Sequence, residues 1–297
     1  MEEDFAPPPY PPPLLSSEQL LSFAAQGHMP LPLSLPLQQS YAKVFEAASR
    51  FFAQREETKS TLYPSPPGRP ELGYTKNAGE KQYLTLRCAA HPESELENHV
   101  RDAWRDTGML LLRILVDLAH AMGLADPHRV WDLVLDGCLA LPASEEEATP
   151  TIFRMFEYAP LSGVAEPHFD IGLLTLCVCQ GDGLEVNHLT GEGRVWKAAD
   201  GPTLLIGTAL QSLTGTKVRA GRHRVVANPN GRSSIIFALR PSLRHEVDLR
   251  LFSGGVTESL KEFWEQHISE RYNINATAEE RERQKAAIAK RKQETQG

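Results

Sequence analysis

Beyond Pro150 the chain breaks into short apolar runs separated by Gly, Asp, Asn and Pro, and this rhythm constrains the fold more than any other feature. The runs cover 152–158, 171–179, 184–188, 194–197, 203–207, 223–228 and 234–239. They have strand length and are bounded by turn residues, which is the pattern of an antiparallel sandwich or barrel.

Before Pro150 the periodicity is helical. Tyr41, Val44, Phe45, Ala48 and Phe52 recur at three- and four-residue spacing and predict an amphipathic helix. A second helix is predicted over 93–122 from Leu96, Val100, Trp104, Leu112, Leu115 and Leu118, with Gly108 expected to bend or divide it and Gly123 to stop it. The stretch 58–73 is rich in Pro, Ser and Gly and predicts a loop, while 81–88 reads as a strand. A last apolar-faced helix is predicted over 259–268, from Leu260, Phe263 and Trp264. Prolines crowd residues 7–13, so 1–14 are expected to be extended. The expected division is a Pro-rich N-terminal arm over 1–36, a helical region over 37–150, a β core over 151–245, a C-terminal helix over 246–275 and a charged tail over 276–297. That tail is expected to be a solvated helix or disordered.

Charge narrows the partners. A formal charge of −7 gives no concentrated basic surface for nucleic acid. The stretch 109–116 is interrupted by Arg113 and is far too short to span a bilayer. Met1-Glu2-Glu3-Asp4 lacks the basic and apolar pattern of a secretory leader, so a cytoplasmic location is expected, without membrane or nucleic-acid partners and as a monomer. Cys88, Cys138, Cys177 and Cys179 contain no C-x-x-C pair, which excludes a zinc ribbon, a thioredoxin motif and a disulfide scaffold. Soft-metal or redox chemistry then rests on the ten histidines and on carboxylates.

Within the β region, Pro167-His168-Phe169-Asp170 sets an imidazole and a carboxylate two residues apart, and residues i and i+2 of a strand share a face. His223, in the run 223–228, is the candidate third ligand. Two histidines and a carboxylate on one side of a metal leave positions open opposite, the arrangement typical of non-haem Fe(II) oxygenases. A bare H-x-D is weak evidence, because such spacing arises by chance and usually serves turns. Arg232 and Ser234 repeat the i, i+2 spacing downstream, and a guanidinium fork with a hydroxyl suits a carboxylate. Taken alone, this arginine reads as a surface residue after the turn Pro229-Asn230-Gly231.

In their order along the chain these residues resemble the iron- and 2-oxoglutarate-dependent oxygenases of the isopenicillin N synthase-like family. The H-x-D and distal His are matched by His168, Asp170 and His223, and the R-x-S by Arg232-Ser233-Ser234. Gly172-Leu173-Leu174-Thr175-Leu176, Gly183-Leu184-Glu185-Val186, and Leu213-Thr214-Gly215 ahead of Gly221-Arg222-His223 also resemble family segments. Upstream, Phe51-Phe52, Lys59, Gly73-Tyr74 and Glu80-Lys81 are similar to its N-terminal helical region. The resemblance implies an α+β fold with a mainly β core, a double-stranded β-helix (jelly roll) flanked by N- and C-terminal helices. It further implies Fe(II) on His168, Asp170 and His223, 2-oxoglutarate held by Arg232 and Ser234, and O2 as oxidant. The implied reaction is oxidation, by default hydroxylation, of a small-molecule substrate with release of succinate and carbon dioxide.

Departures touch the cosubstrate. The direct register of the family's N-x-Y motif falls on Glu157 and Ala159, and Tyr158 substitutes only if the register slips by one; otherwise it is core. Phe169 replaces the usual Thr inside H-x-D, and 205–208 lacks N-x-G-D. Rival functions are an iron oxidase of the same family acting without 2-oxoglutarate, an inactive binding module on the same fold, and an isomerase or storage protein on a similar β-helix. His28, His91, His128, His188 and His245 in turn-like segments, and His99, His120 and His267 on helices, are not expected as ligands. Phe153 and Phe156 are expected mainly in the core, and Cys177 and Cys179 as buried small residues.

Overall fold

The computed structural model describes residues 12–66, 72–123, 127–246, 260–269 and 272–296. Helix α1 (Ser17–Gln26), strand β1 (His28–Pro30), helices α2 (Leu35–Phe52) and α3 (Glu56–Leu62), and strands β2 (Gly73–Asn77) and β3 (Lys81–Leu86) come first. Helices α4 (Glu95–Ala121) and α5 (Pro127–Val134) lead into β4 (Ile152–Tyr158), β5 (Ala165–His168), β6 (Leu174–Gln180), β7 (Leu184–Thr190), β8 (Gly193–Ala198) and β9 (Thr203–Ile206). Then follow α6 (Thr208–Leu213), β10 (His223–Val225), β11 (Arg232–Leu239), α7 (Leu260–Ser269) and α8 (Ala278–Gln296).

The strands form two antiparallel sheets. The larger has the order β1-β9-β6-β11-β4-β3-β2 and the smaller β5-β10-β7-β8. Tyr83, Phe156, Tyr158 and Ile236 of the large sheet pack with Ala165 and Val225 of the small one, so the two sheets face each other. Helices cover the opposite face of the large sheet, where Trp104 of α4 and Tyr41 of α2 pack on Phe153. Strand alternation divides the two layers. Phe153 and Met155 of β4, Leu176 and Val178 of β6, and Ile235, Phe237 and Leu239 of β11 point into the helical core. Arg154, Phe156 and Tyr158, Thr175 and Cys177, and Arg232, Ser234, Ile236 and Ala238 line the space between the sheets. Burial on both faces explains why these strands read as near-continuous apolar runs. The architecture is the double-stranded β-helix with flanking helices implied by the sequence.

Several local expectations change. Within the expected arm, Ser16 caps α1 in a capping box with Gln19, and β1 pairs with β9 at the sheet edge, His28 facing Leu205. Residues 1–11 of that arm lie outside the described residues. The loop expected over 58–73 holds most of α3. Helix α4 runs unbroken through Gly108, where a Cβ would lie 3.0 Å from the Leu139 carbonyl oxygen, so this glycine permits close packing instead of a bend. The charged tail forms α8, and its Arg281 is buried against Glu166 of β5, with nitrogen and oxygen 3.1 Å apart.

Candidate functional site

His223 and His168 stand directly opposite each other across the β10–β5 ladder, and their ring centroids are 4.1 Å apart. The ladder, not proximity in sequence, makes them a pair. Strand β5 ends at His168, so Asp170 is aimed by a turn and not by the pleat that its spacing suggested. Its carbonyl accepts from the Thr208 N–H at 2.8 Å, at the start of α6. A Cβ on Gly207 would come 2.0 Å from the Gly172 carbonyl oxygen, so only glycine lets this loop lie against the end of β9. Asp170 Oδ1 is 3.9 Å from His168 Nε2, and Oδ2 is 3.9 Å from His223 Nε2. One ligand atom from each of the three side chains lies within 4.8 Å of the others.

The remaining ring nitrogens are committed elsewhere. His168 Nδ1 donates to the Glu166 carbonyl at 2.7 Å and His223 Nδ1 to the Gly221 carbonyl at 3.1 Å. A carbonyl can only accept, so each Nδ1 carries the proton and each Nε2 presents a lone pair, the tautomer a metal requires. Burial and the adjacent His223 hold His168 down to about 4, which keeps it neutral. Burial works to raise the Asp170 carboxyl, yet the two imidazoles and the Thr175 hydroxyl hold it below its ordinary range. Asp170 Oδ2 is buried without a hydrogen-bond partner. An ionised carboxylate with an orphaned oxygen beside two lone pairs is a donor set that fits a divalent cation.

Along β11 lies a second polar end. Arg232 and Ser234 face the same side, 5% and 1% exposed, and Arg232 Nε and Nη1 and Ser234 Oγ have no partner. Buried donors in that state favour an incoming acceptor, and a carboxylate matches their geometry. Tyr158 pairs with Arg232 across β4 and β11, and the guanidinium lies 5.3 Å from its ring centre. Glu157 turns the other way to Gln82. Tyr158 lines the same cavity as Arg232 and is at the same time part of the buried cluster between the sheets, stacked on Phe156. Cys179, expected as a buried small residue, is half-buried and lies 2.7 Å from Arg232 Nη2 and 3.4 Å from the Cys177 sulfur. The Cys177 hydrogen bond, aided by Arg232, pulls the Cys179 thiol down to about 6 against the effect of burial.

Both ends open into one cavity of about 800 Å3. Its lining adds Arg87, Arg154 and Arg240, apolar side chains including Ile152, Leu243 and Ile268, and Trp264 of α7. Sequence reasoning missed these arginines. The available signal was Arg154 at an inward position of the mostly apolar run 152–158. Phe156 lines the cavity as well, whereas Phe153 belongs to the helical core.

The other described histidines stay out of the ligand set. His28 and His188 rings approach to 5.4 Å, and burial holds His28 down to about 4. His267 Nε2 lies 2.6 Å from the Thr208 hydroxyl, which ties α7 to the turn that aims Asp170. His128 lies where no side chain is described.

No protein-family model matches this sequence, and no curated protein matches it. Solved structures do. A full-length Neurospora crassa protein in complex with alpha-KG aligns with a TM-score of 0.63 at 16% identity, covering 86% of this chain and 91% of that one. JOX2 in complex with 2OG, Fe and JA aligns with a TM-score of 0.61 at 17% identity over 78% of this chain and 72% of that one. The rice dioxygenase for auxin oxidation aligns with a TM-score of 0.56 at 20% identity, covering 76% and 79%. The chain thus has the fold of 2-oxoglutarate- and Fe(II)-dependent oxygenases, with a two-histidine, one-carboxylate cluster inside it. No helix among the described residues is long and apolar enough to cross a membrane.

Proposed function

We propose that this protein is an Fe(II)- and 2-oxoglutarate-dependent oxygenase that oxidises, most simply by hydroxylation, a small-molecule metabolite. The observation that carries this is the coexistence, in one cavity, of the His168–Asp170–His223 cluster and the orphaned donors of Arg232 and Ser234. Structural neighbours support it: the Neurospora structures hold alpha-KG with thymine or 5-formyluracil, and JOX2 holds 2OG, Fe and JA. The net charge of −7 agrees with a small-molecule substrate and not with nucleic acid.

His168 and His223 would hold the iron through Nε2, locked by their Nδ1 hydrogen bonds, and Asp170 would supply the carboxylate. Arg232 and Ser234 would grip the distal carboxylate of 2-oxoglutarate, with the Tyr158 ring limiting the swing of the guanidinium. When bound, Fe(II) and 2-oxoglutarate supply the activation of O2, with 2-oxoglutarate oxidised to succinate and carbon dioxide as a substrate C–H bond is oxidised. Phe156, Val225 and Ile236 give the cavity apolar walls between the sheets, which limit the access of water to that chemistry. Under nitrogen, adding 2-oxoglutarate to the Fe(II)-loaded protein is expected to give a weak visible charge-transfer band. Protein that binds one Fe(II) but gives no band, and forms no succinate in air, would overturn the assignment.

A further inference from the structure

A second cavity, of about 410 Å3, opens beside the His168–Asp170–His223 cluster, because Phe169, between the first two of these residues, lines both it and the main cavity. Three arginines line it. Arg194 stands at the start of β8, and Arg219 and Arg222 lie on the loop that enters β10. No carboxylate lines this space, and among the described residues none of the three arginines has an ion-pair partner. Other exposed arginines do: Arg50 pairs with Glu46 and Glu95, Arg105 with Asp102 and Asp106, and Arg244 with Asp136. On a chain of formal charge −7 this is a local excess of positive charge.

Backbone contacts hold this charge in place. The Arg219 N–H donates to the Ala24 carbonyl at 2.9 Å, the Ala220 N–H to Gln211 Oε1 at 2.6 Å, and the Asn187 N–H to the Arg222 carbonyl at 2.9 Å. Arg194 Nη1 donates to the Asn187 carbonyl at 2.8 Å, and the Arg222 guanidinium lies 5.8 Å from the centre of the Trp196 ring. Burial and the charge of Arg219 pull the Arg194 guanidinium below its ordinary range, and burial with Lys197 and Arg194 does the same to His188. An anion that enters offsets this mutual repulsion. Asn187, Gln211 and Thr216 add two amides and a hydroxyl to the lining, and Phe169 adds an exposed aromatic ring.

We infer that this cavity binds the phosphate of a small phosphomonoester, its oxygens on Arg194, Arg219 and Arg222 and its organic group against Phe169. One planar fork satisfies a carboxylate, whereas three forks facing one space suit the three terminal oxygens and the nearly double charge of a phosphate. Recognition here requires neither iron nor 2-oxoglutarate, so the site goes beyond the oxygenase reading and stands or falls apart from it.

The test is calorimetric titration of the full-length chain, without added metal, at about pH 8 and about 20 mM ionic strength, where the phosphate is a dianion and screening is weak. The probes are phenyl phosphate, inorganic phosphate and benzoate. Phenyl phosphate is expected to saturate one site with a Kd below about 1 mM, binding about tenfold or more tighter than benzoate and at least about threefold tighter than inorganic phosphate. Arg219→Gln and Arg222→Gln should each weaken it about tenfold or more, and both side chains are exposed, so the fold is expected to survive. Arg105→Gln, which removes an equal charge from α4, and Arg232→Ala, which removes the arginine of the main cavity, should change it by less than about twofold. The absence of saturable binding, equal losses in Arg105→Gln, or undiminished affinity in both Arg219→Gln and Arg222→Gln overturns the inference. A loss confined to Arg232→Ala places the anion in the main cavity and overturns it too. Inorganic phosphate that binds as tightly as phenyl phosphate removes the ester, and benzoate that does so removes the phosphate.

Discussion

The two cationic ends of the cavity are built differently. Around Arg232, the polar groups come from three adjacent strands in continuous register: Tyr158 on β4, Ser234 on β11, and Cys177 and Cys179 on β6. Around Arg154 and Arg240, the arginines stand on β4 and just past the end of β11, and the same cavity takes further wall from α7 and from residues 272–275. A sheet fixes side chains by pairing, which suits a constant ligand such as 2-oxoglutarate. A wall made of helix and loop can change without disturbing that pairing, which suits selection among substrates.

The largest expected effect falls on the proposed metal site, which opens into the same cavity as both ends. His168→Ala or Asp170→Ala should lower succinate formation by more than about a hundredfold, because each would remove a ligand from the proposed three-ligand site. Undiminished turnover in either variant would remove these residues from the metal site. Next comes the contrast itself. Arg232→Ala should weaken 2-oxoglutarate binding by roughly 30- to 100-fold, since it deletes a buried charged donor set worth about 2–3 kcal/mol. Arg154→Gln should change it by less than about twofold. Arg232→Lys should restore only part of the affinity, lacking the planar fork. If both arginine substitutions weaken 2-oxoglutarate equally in anaerobic titration, the two ends are a single site.

The Arg232 end was legible in the sequence because strand geometry converts spacing into direction. Arg232 and Ser234 share a face at i and i+2, and the order of H-x-D, distal His and R-x-S survived as a pattern. Even here the pairing of His168 with His223 belongs to the ladder, and β5, with Glu166 and Pro167 among its four residues, carries no strand signal. Tyr158 needed the actual register to be placed. The other end was hardly legible. Arg240 lies beyond the run 234–239, and Trp264 and Asn275 reach the cavity through contacts between segments far apart in the chain. Such contacts leave no local periodicity. The arm over 1–36 misled for a related reason: β1 is three residues long and ends in proline, yet it is a strand because β9 pairs with it.

Lys81 sharpens the comparison energetically, because it joins the Arg232 end to the C-terminal segment. It pairs with Tyr158 across β3 and β4, and its Nζ is 3.5 Å from Asn275 Oδ1. Burial pushes the Lys81 ammonium down to about 8. The unfolded lysine titrates near about 10.4, so between these values the unfolded chain binds more protons and native stability rises with pH. Below pH 8 the whole cost of burying the charge is present. Lys81→Met is therefore expected to raise stability at pH 7 by roughly 1–3 kcal/mol and to flatten the rise between pH 8 and 10, measured by urea unfolding. A variant that is less stable at pH 7 with the slope unchanged would show that the ammonium is held by favourable contacts.

The smallest effect concerns how the variable wall is fastened. Arg281 of α8 donates through Nε to Glu166 at 3.1 Å and through Nη1 to the Ala276 carbonyl at 2.7 Å, while Lys285 Nζ lies 3.1 Å from the same glutamate. Glu166 also supplies the carbonyl that orients His168, so the clamp joins the last helix to the strand beneath the metal site. Arg281 is nearly buried but Glu166 is about a third exposed, so screening limits the pair. Arg281→Ala should cost about 1 kcal/mol in stability. Its clearer signature is local: faster amide hydrogen exchange across residues 272–285, with exchange in β11 unchanged. If β11 loosens in step with the C-terminal segment, the wall is part of the sheet's cooperative unit, and the contrast between a fixed end and an adaptable end disappears.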